Sequence, residues 1–200
     1  MPLIWQKHSG PMSSIGLWRI QEDISFFKRK YKFPEKLPTH PARKSESYAA
    51  RLTLKTLMEL HNCPFSGLKK KKNGQPYIPG SQSLFSSLSH SSQYALAGIN
   101  TSPIGVDIER IDPRLQKLRH KFLSEEECPY EDPISLCICW TAKETAYKYF
   151  GHHLKNDQTL NMKKDLKIRW HDEKLYVKSR WGQIEIIYFG WDQHIISYSL

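Results

Sequence analysis

Between Pro41 and Asn62 the apolar residues Ala50, Leu54, Leu57 and Met58 recur at the i, i+4, i+7 and i+8 spacing of one helical face. Arg43, Ser47, Arg51 and Lys55 recur every four residues on another side, a polar stripe that reads as a solvated face. From Leu84 to Glu109 the pattern shortens to LFSSLSHS, QYALAGIN and PIGVDIER, which predicts three strands with Asn100 to Pro103 as the turn before the last. The period of two in that last strand puts Asp107 and Glu109 on one face and Val106 and Ile108 on the other. Asp132-Pro133 is an N-cap acid followed by proline at the first helical position. It opens a second helix through ISLCICWTAKETAYKYF to Gly151, read as the C′ residue, with Trp140, Glu144 and Lys148 on one face. From Leu166 to Leu200 the stretches LKIRW, KLYVKS, QIEIIYF and HIISYSL alternate polar with β-branched and aromatic residues, the pattern of a strand meander.

Each half of the chain therefore holds one long helix and a few antiparallel strands. The expected fold class is α+β: two similar subdomains in a pseudo-twofold arrangement, each a helix packed on a small antiparallel sheet. The boundary is expected between residues 102 and 103.

Composition changes the picture in one respect. The chain of 200 residues is 39% hydrophobic, has no apolar run near the ~20 residues of a membrane span, and begins MPLIWQKHSGP without a charged segment before an apolar one. A globular cytoplasmic protein is expected. Cys63, Cys128, Cys137 and Cys139 have no CxxC spacing, which favours buried free thiols over a zinc site. The net charge of +10 is unevenly placed: residues 1–100 hold 15 basic and 5 acidic side chains, and residues 101–200 hold 15 of each. One half is built to hold anions and the other supplies carboxylates, the division expected of an enzyme that handles a phosphorylated substrate with a metal.

The carboxylates in question are Asp107 and Glu109 on a strand and Glu144 on a helix. Hard oxygen ligands of this kind suit magnesium. The plainer alternatives are a solvated strand face and a routine Glu144/Lys148 i, i+4 pair. Ser89-His90 ends a predicted strand, where side chains reach a ligand or simply hydrogen-bond a loop. The run Lys69 to Lys72 is a phosphate clamp, a nucleic-acid patch or a solvated loop. No Walker or dinucleotide glycine motif and no G-x-S-x-G elbow occurs, so any nucleotide is held some other way and a serine hydrolase is disfavoured.

The order of motifs is more specific than any one of them. ARKSESYAAR, KNGQPYI, SLSHS, IGVDIER, KFLSEEE and WTAKETAYK follow one another, and two of them complete the patterns G-[IV]-D-[IVL]-E (Gly105 to Glu109) and W-x-x-K-E-x-x-x-K (Trp140 to Lys148). From Arg43 to Lys148 the chain resembles the 4′-phosphopantetheinyl transferase superfamily, in its longer, surfactin-synthetase-activating form. The resemblance implies a pseudo-dimer with coenzyme A in the cleft between two α+β subdomains. It also implies transfer of the phosphopantetheine arm to a serine of an acyl or peptidyl carrier protein, with release of adenosine 3′,5′-bisphosphate.

Asp107, Glu109 and Glu144 would then hold Mg2+, while Lys148 would contact the phosphates and assist the leaving group. Ser89 and His90 would bind coenzyme A at its phosphates; Arg43 and the segment Lys72 to Gln75 would grip its nucleotide end. Such a reaction needs a proton acceptor for the serine. Glu144 on its rigid helix is the choice, with Asp107 acting through water as the rival. Gln75 departs from the Gly-Lys-Pro common in the family, and Lys72 or its neighbours are the candidates to replace the missing cation. Leu118, Phe122 and Leu123 are candidate carrier contacts. A monomer without membrane attachment is expected; the alternative function is a non-catalytic basic protein that binds nucleic acid or a carrier.

Overall fold

The computed structural model describes residues 3–33, 37–81, 83–127, 131–155 and 158–199, so Cys128 lies outside the described residues. Residues to which the sequence pattern assigns nothing open the fold. A hairpin of β1 (Leu3–Gly10) and β2 (Ser13–Arg19) is followed by the short helix α1 (Ile24–Lys30). β2 is buried along nearly its whole length, and burial on both faces erases the alternation that would have marked it as a strand.

Helix α2 spans Pro41–Leu60, and the two-residue strands β3 (Lys69–Lys70) and β4 (Pro76–Tyr77) pair as a small hairpin beyond it. Next come β5 (Phe85–Ser91), β6 (Tyr94–Asn100) and β7 (Val106–Arg110), the three strands expected. They do not form one sheet. β5 and β6 complete a four-stranded sheet of order β1-β2-β6-β5, whereas β7 joins the second sheet.

The second half continues with α3 (Leu115–Phe122), α4 (Pro133–Phe150), a 3-10 turn (Gly151–His153) and α5 (Met162–Asp165). The meander β8 (Lys167–His171), β9 (Lys174–Ser179), β10 (Gly182–Trp191) and β11 (His194–Tyr198) then gives, with β7, a five-stranded antiparallel sheet of order β7-β11-β10-β9-β8. The Asp132 carboxylate caps α4 by accepting from the backbone N–H groups of Ile134 and Ser135, both at 3.0 Å. Gly151 is not a left-handed cap: at φ −53° it carries the chain on into the 3-10 turn.

These elements stack as helix, sheet, sheet, helix. Ala95, Ala97 and Ile99 of β6 face α2, packing with Ala49, Leu54, Leu57 and Met58. Tyr94 and Leu96, one residue out of step, face the other way and form a shared apolar layer with Val106, Ile108, Ile196 and Tyr198 of the second sheet. Helix α4 buries Leu136, Cys139, Ala142, Ala146 and Phe150 against the outer face of that sheet. At the seam, Ser87 and Ser91 of β5 accept hydrogen bonds from the backbone N–H groups of Val106 (3.0 Å) and Arg110 (3.2 Å). Side chains therefore knit the sheets together where β5 meets β7.

Gly105 is required by a close approach rather than by a turn. A Cβ there would lie 2.0 Å from the carbonyl oxygen of Thr145, so β7 and α4 can sit this close only with a hydrogen at position 105. Among the described residues no helix is long and apolar enough to cross a membrane. Cys63, Cys137 and Cys139 are free thiols, and burial pushes that of Cys137 up to about 12.

Candidate functional site

A cleft of about 700 Å³ opens where α2 and the β3–β4 hairpin face α4. The period of two in β7 sends Val106 and Ile108 into the layer between the sheets, which leaves Asp107 and Glu109 on the side of α4. Asp107 is 2% exposed. Its Oδ1 accepts from Ser89 Oγ and from Lys148 Nζ, both at 2.6 Å, while Oδ2 is buried without a partner. Lys148 also donates to the backbone oxygen of Val106 at 3.0 Å, which clamps the last turn of α4 to the start of β7.

Glu109 accepts a hydrogen bond from the Trp140 indole at 3.4 Å. Burial, and then the charge of Asp107, push its carboxyl up to about 7. Glu144 is likewise pushed up to about 7, again first by burial and then by Asp107, with Lys148 pulling the other way. Three carboxylates thus share one corner with one ammonium. Among the described residues no three His, Cys, Asp or Glu side chains are gathered closely enough to form a ready metal-ligand set.

The opposite wall carries cations and polar groups. Arg51 is 9% exposed and donates to the Ser47 carbonyl at 3.0 Å and to its hydroxyl, so the stripe expected to be solvated is in part the wall of the cleft. Arg43, two turns earlier in α2, is exposed and does not line the cleft. His90 does, with Nδ1 3.1 Å from Glu46. Burial holds its imidazole below the usual value; the charges of Lys148 and Arg51 act in the same direction against Glu46. The hydroxyl of Ser89 points away, onto Asp107.

In the hairpin Lys70 lines the cleft, and Lys72 is exposed outside it. Gln75 is 8% exposed; its Oε1 accepts from Lys71 Nζ at 3.1 Å, and its Nε2 has no partner. The lysine bound to Oε1 orients the amide and leaves Nε2 buried beside Gly151. The neighbour that meets Gln75 is therefore Lys71.

Two of the three candidate carrier contacts are corrected by burial. Phe122 and Leu123 are 1% and 2% exposed in the core under α4, and only Leu118, at 39%, faces outward. Amphipathic spacing within α3 contained this signal, but no helix is expected there from the sequence pattern. Lys143 has no role in the sequence reading, yet it is fully buried and ion-paired with Glu127 at 2.7 Å.

Two helix-on-sheet units, with carboxylates gathered at one corner and cations on the wall opposite, define an α+β protein built from two halves of one chain. Comparison with known proteins makes the class particular. The pattern of the 4′-phosphopantetheinyl transferase superfamily matches residues 103–198, and that of the 4′-phosphopantetheinyl transferase N-terminal domain matches residues 33–100. The chain belongs to the 4′-phosphopantetheinyl transferase superfamily, in its surfactin-synthetase-activating form.

Curated relatives include a 4′-phosphopantetheinyl transferase of Bacillus subtilis, 28% identical over 88 residues (40% of this chain, 39% of the relative). Enterobactin synthase component D of Salmonella typhi is 31% identical over 120 residues (54% and 49%), and 4′-phosphopantetheinyl transferase psf-1 of Bacillus pumilus is 33% identical over 88 residues (40% and 37%). The matched stretches span half or less of these relatives' length.

Proposed function

We propose that this protein transfers the 4′-phosphopantetheine group of coenzyme A to a serine of an apo acyl or peptidyl carrier protein. The observation that carries the reading is the cleft itself, in which Arg51 and Lys70 share the lining with Glu144 and Lys148, and Lys148 is bonded to the buried Asp107 behind it. Family membership over both halves of the chain supports it.

Asp107, Glu109 and Glu144 would hold Mg2+. They fit it by chemistry: all are hard oxygen donors, one Asp107 oxygen is buried and unpartnered, and burial with mutual repulsion raises the other two carboxyls in a way that a divalent cation relieves. When bound, the ion neutralises charge on the pyrophosphate. Lys148, anchored on Asp107 and Val106, would direct its ammonium to the phosphates and steady the departing 5′-phosphate.

The serine oxygen forms a new bond to the phosphorus that carries the pantetheine arm. The bond from that phosphorus to the bridging oxygen breaks, and adenosine 3′,5′-bisphosphate leaves. The serine proton passes to Glu144, which the rigid helix α4 holds in the lining of the cleft. Asp107, bonded to Ser89 and Lys148, would keep the ammonium in place.

His90 would frame the phosphates, with Ser89 beside it bonded to Asp107, and Arg43 with the segment Lys72 to Gln75 would lie toward the nucleotide end. There Lys70 and the Lys71-held amide of Gln75 stand in for the missing lysine of the hairpin. Residues 1–102 would supply the nucleotide side and residues 103–200 the carboxylate and carrier side. Since one chain carries both walls, a monomer suffices; three free thiols among the described residues accord with the cytoplasm.

The test is incubation with coenzyme A, Mg2+ and a panel of apo carriers, read by mass. The wild type should add the phosphopantetheine increment, and Asp107→Ala and Glu144→Ala should each slow it at least ~10²-fold. Undiminished labelling by both variants would overturn the site.

A further inference from the structure

Lys143 stands next to Glu144 in the chain but turns away from the cleft. Its side chain is fully buried. Nζ donates to the backbone oxygens of Phe122 (2.6 Å), Leu166 (2.9 Å) and Met162 (3.1 Å) and pairs with Glu127 Oε1 at 2.7 Å. Glu127 is satisfied in turn by the N–H (2.7 Å) and hydroxyl (2.8 Å) of Ser124 and by the N–H of Ile168 (2.9 Å). Burial alone would raise the Glu127 carboxyl, but the bonds from Lys143, Ser124 and Ile168 outweigh it and hold it below its ordinary value. One ammonium thereby ties the end of α3, the turn after it, α5 and the start of β8 to α4.

A buried ion pair is a weak source of stability, because desolvation offsets most of the attraction. What this pair does that apolar side chains cannot is gather three carbonyl oxygens around one point. The carbonyl of Phe122 belongs to the residue whose ring packs edge-on against Trp140, with centroids 5.0 Å apart and planes at 80°. The Trp140 indole N–H, one turn from Lys143 on α4, is the group that reaches Glu109. A continuous line of direct contacts runs from the buried hub to a carboxylate of the acidic corner: Lys143, Phe122, Trp140, Glu109.

We infer that Lys143 is a positioning residue: by fixing Phe122 it seats the Trp140 indole and so orients the Glu109 carboxylate, which makes the cleft responsive to where α3 sits. This rests on the cleft being the transfer site proposed above.

The test uses the full chain and does not depend on activity alone. The Trp140 indole cross-peak in an amide proton–nitrogen spectrum is assigned by its loss in Trp140→Phe, and Glu109→Ala marks its position without the hydrogen bond. Lys143→Met should move this peak at least half of the way toward the Glu109→Ala position and leave the other five tryptophan indoles in place. In transfer assays kcat should fall about 10- to 100-fold with the KM for coenzyme A within about twofold. Phe122→Leu keeps the charged hub and cuts the same line, so it should shift the same peak even if Lys143→Met does not fold. An unmoved Trp140 peak in a folded Lys143→Met or in Phe122→Leu overturns the inference. A wild type that transfers nothing overturns the proposed function instead, and leaves the indole response to stand or fall by itself.

Discussion

Gly105→Ala adds one methyl group at the tightest contact between β7 and α4. That carbon would lie 2.0 Å from the Thr145 carbonyl oxygen and 2.9 Å from its carbonyl carbon, whereas carbon approaches a carbonyl oxygen comfortably at about 3.3 Å. Strand and helix must therefore separate by roughly 1.3 Å along this line. Neither side yields freely. Gly105 donates to Ser199 Oγ at 2.9 Å and accepts from the Ser199 N–H at 3.0 Å, and Thr145 Oγ1 is 2.7 Å from Ser197 Oγ.

Overpacking of this kind costs about 3 kcal/mol, which for a domain of this size lowers Tm by roughly 6–12 °C. The same displacement acts on the cleft, since Asp107 lies two residues along the strand and Glu144 and Lys148 flank Thr145. The 2.6 Å contact from Lys148 to Asp107 and the 3.0 Å contact to Val106 would both be pulled beyond hydrogen-bond range. A misplacement near 1 Å commonly lowers rate about 10²-fold. Thermal unfolding and carrier labelling measure the two effects on one sample. Gly190→Ala is the control, because a Cβ there meets nothing within 4 Å, and it should leave both unchanged. A Gly105→Ala protein with wild-type Tm and labelling rate would refute the close-approach argument.

Two further outcomes follow from burial and charge. Glu144 is raised from 4.5 to about 7, so the folded metal-free protein binds more protons than the unfolded chain in that window, and its stability falls as pH rises from 4.5 through 7. Glu144→Gln should gain up to about 3 kcal/mol over the wild type at pH 8 and almost none at pH 4.5 in denaturant titrations without divalent ions; an equal gain at both pH values would contradict the assignment. Leu118→Glu should leave stability within about 0.5 kcal/mol while raising the KM for the carrier, whereas Phe122→Ala should lose about 3–5 kcal/mol; the reverse ranking by unfolding would show that α3 is seated the other way round.

The acidic corner was legible because strand and helix periods are local. A period of two places Asp107 and Glu109 together, and a spacing of four places Trp140, Glu144 and Lys148 together, whatever packs around them. The basic stripe of α2 misled for the same reason. Periodicity shows that Ser47 and Arg51 share a side of the helix, but not that a second unit faces that side and turns it into a cleft wall. β2 escaped notice because it is buried on both faces, and Phe122 and Leu123 were misplaced because no helix is expected at 115–122, so the spacing of Leu115 and Phe122 on one face went unused.

The amino-acid sequence by itself determined the α+β class, the two helix-on-sheet halves, the asymmetry of charge and the membership carried by the Gly105–Glu109 and Trp140–Lys148 motifs. Only the tertiary structure decided that β7 leaves its neighbours β5 and β6 for the other sheet, that Lys71 rather than Lys72 meets Gln75, and that Lys143 is a buried hub. The physical reason is that a residue's period fixes which neighbours it shares along its own element. Its burial, charge state and partners depend on surfaces brought from residues far away in the chain, and those exist only once the two sheets have packed.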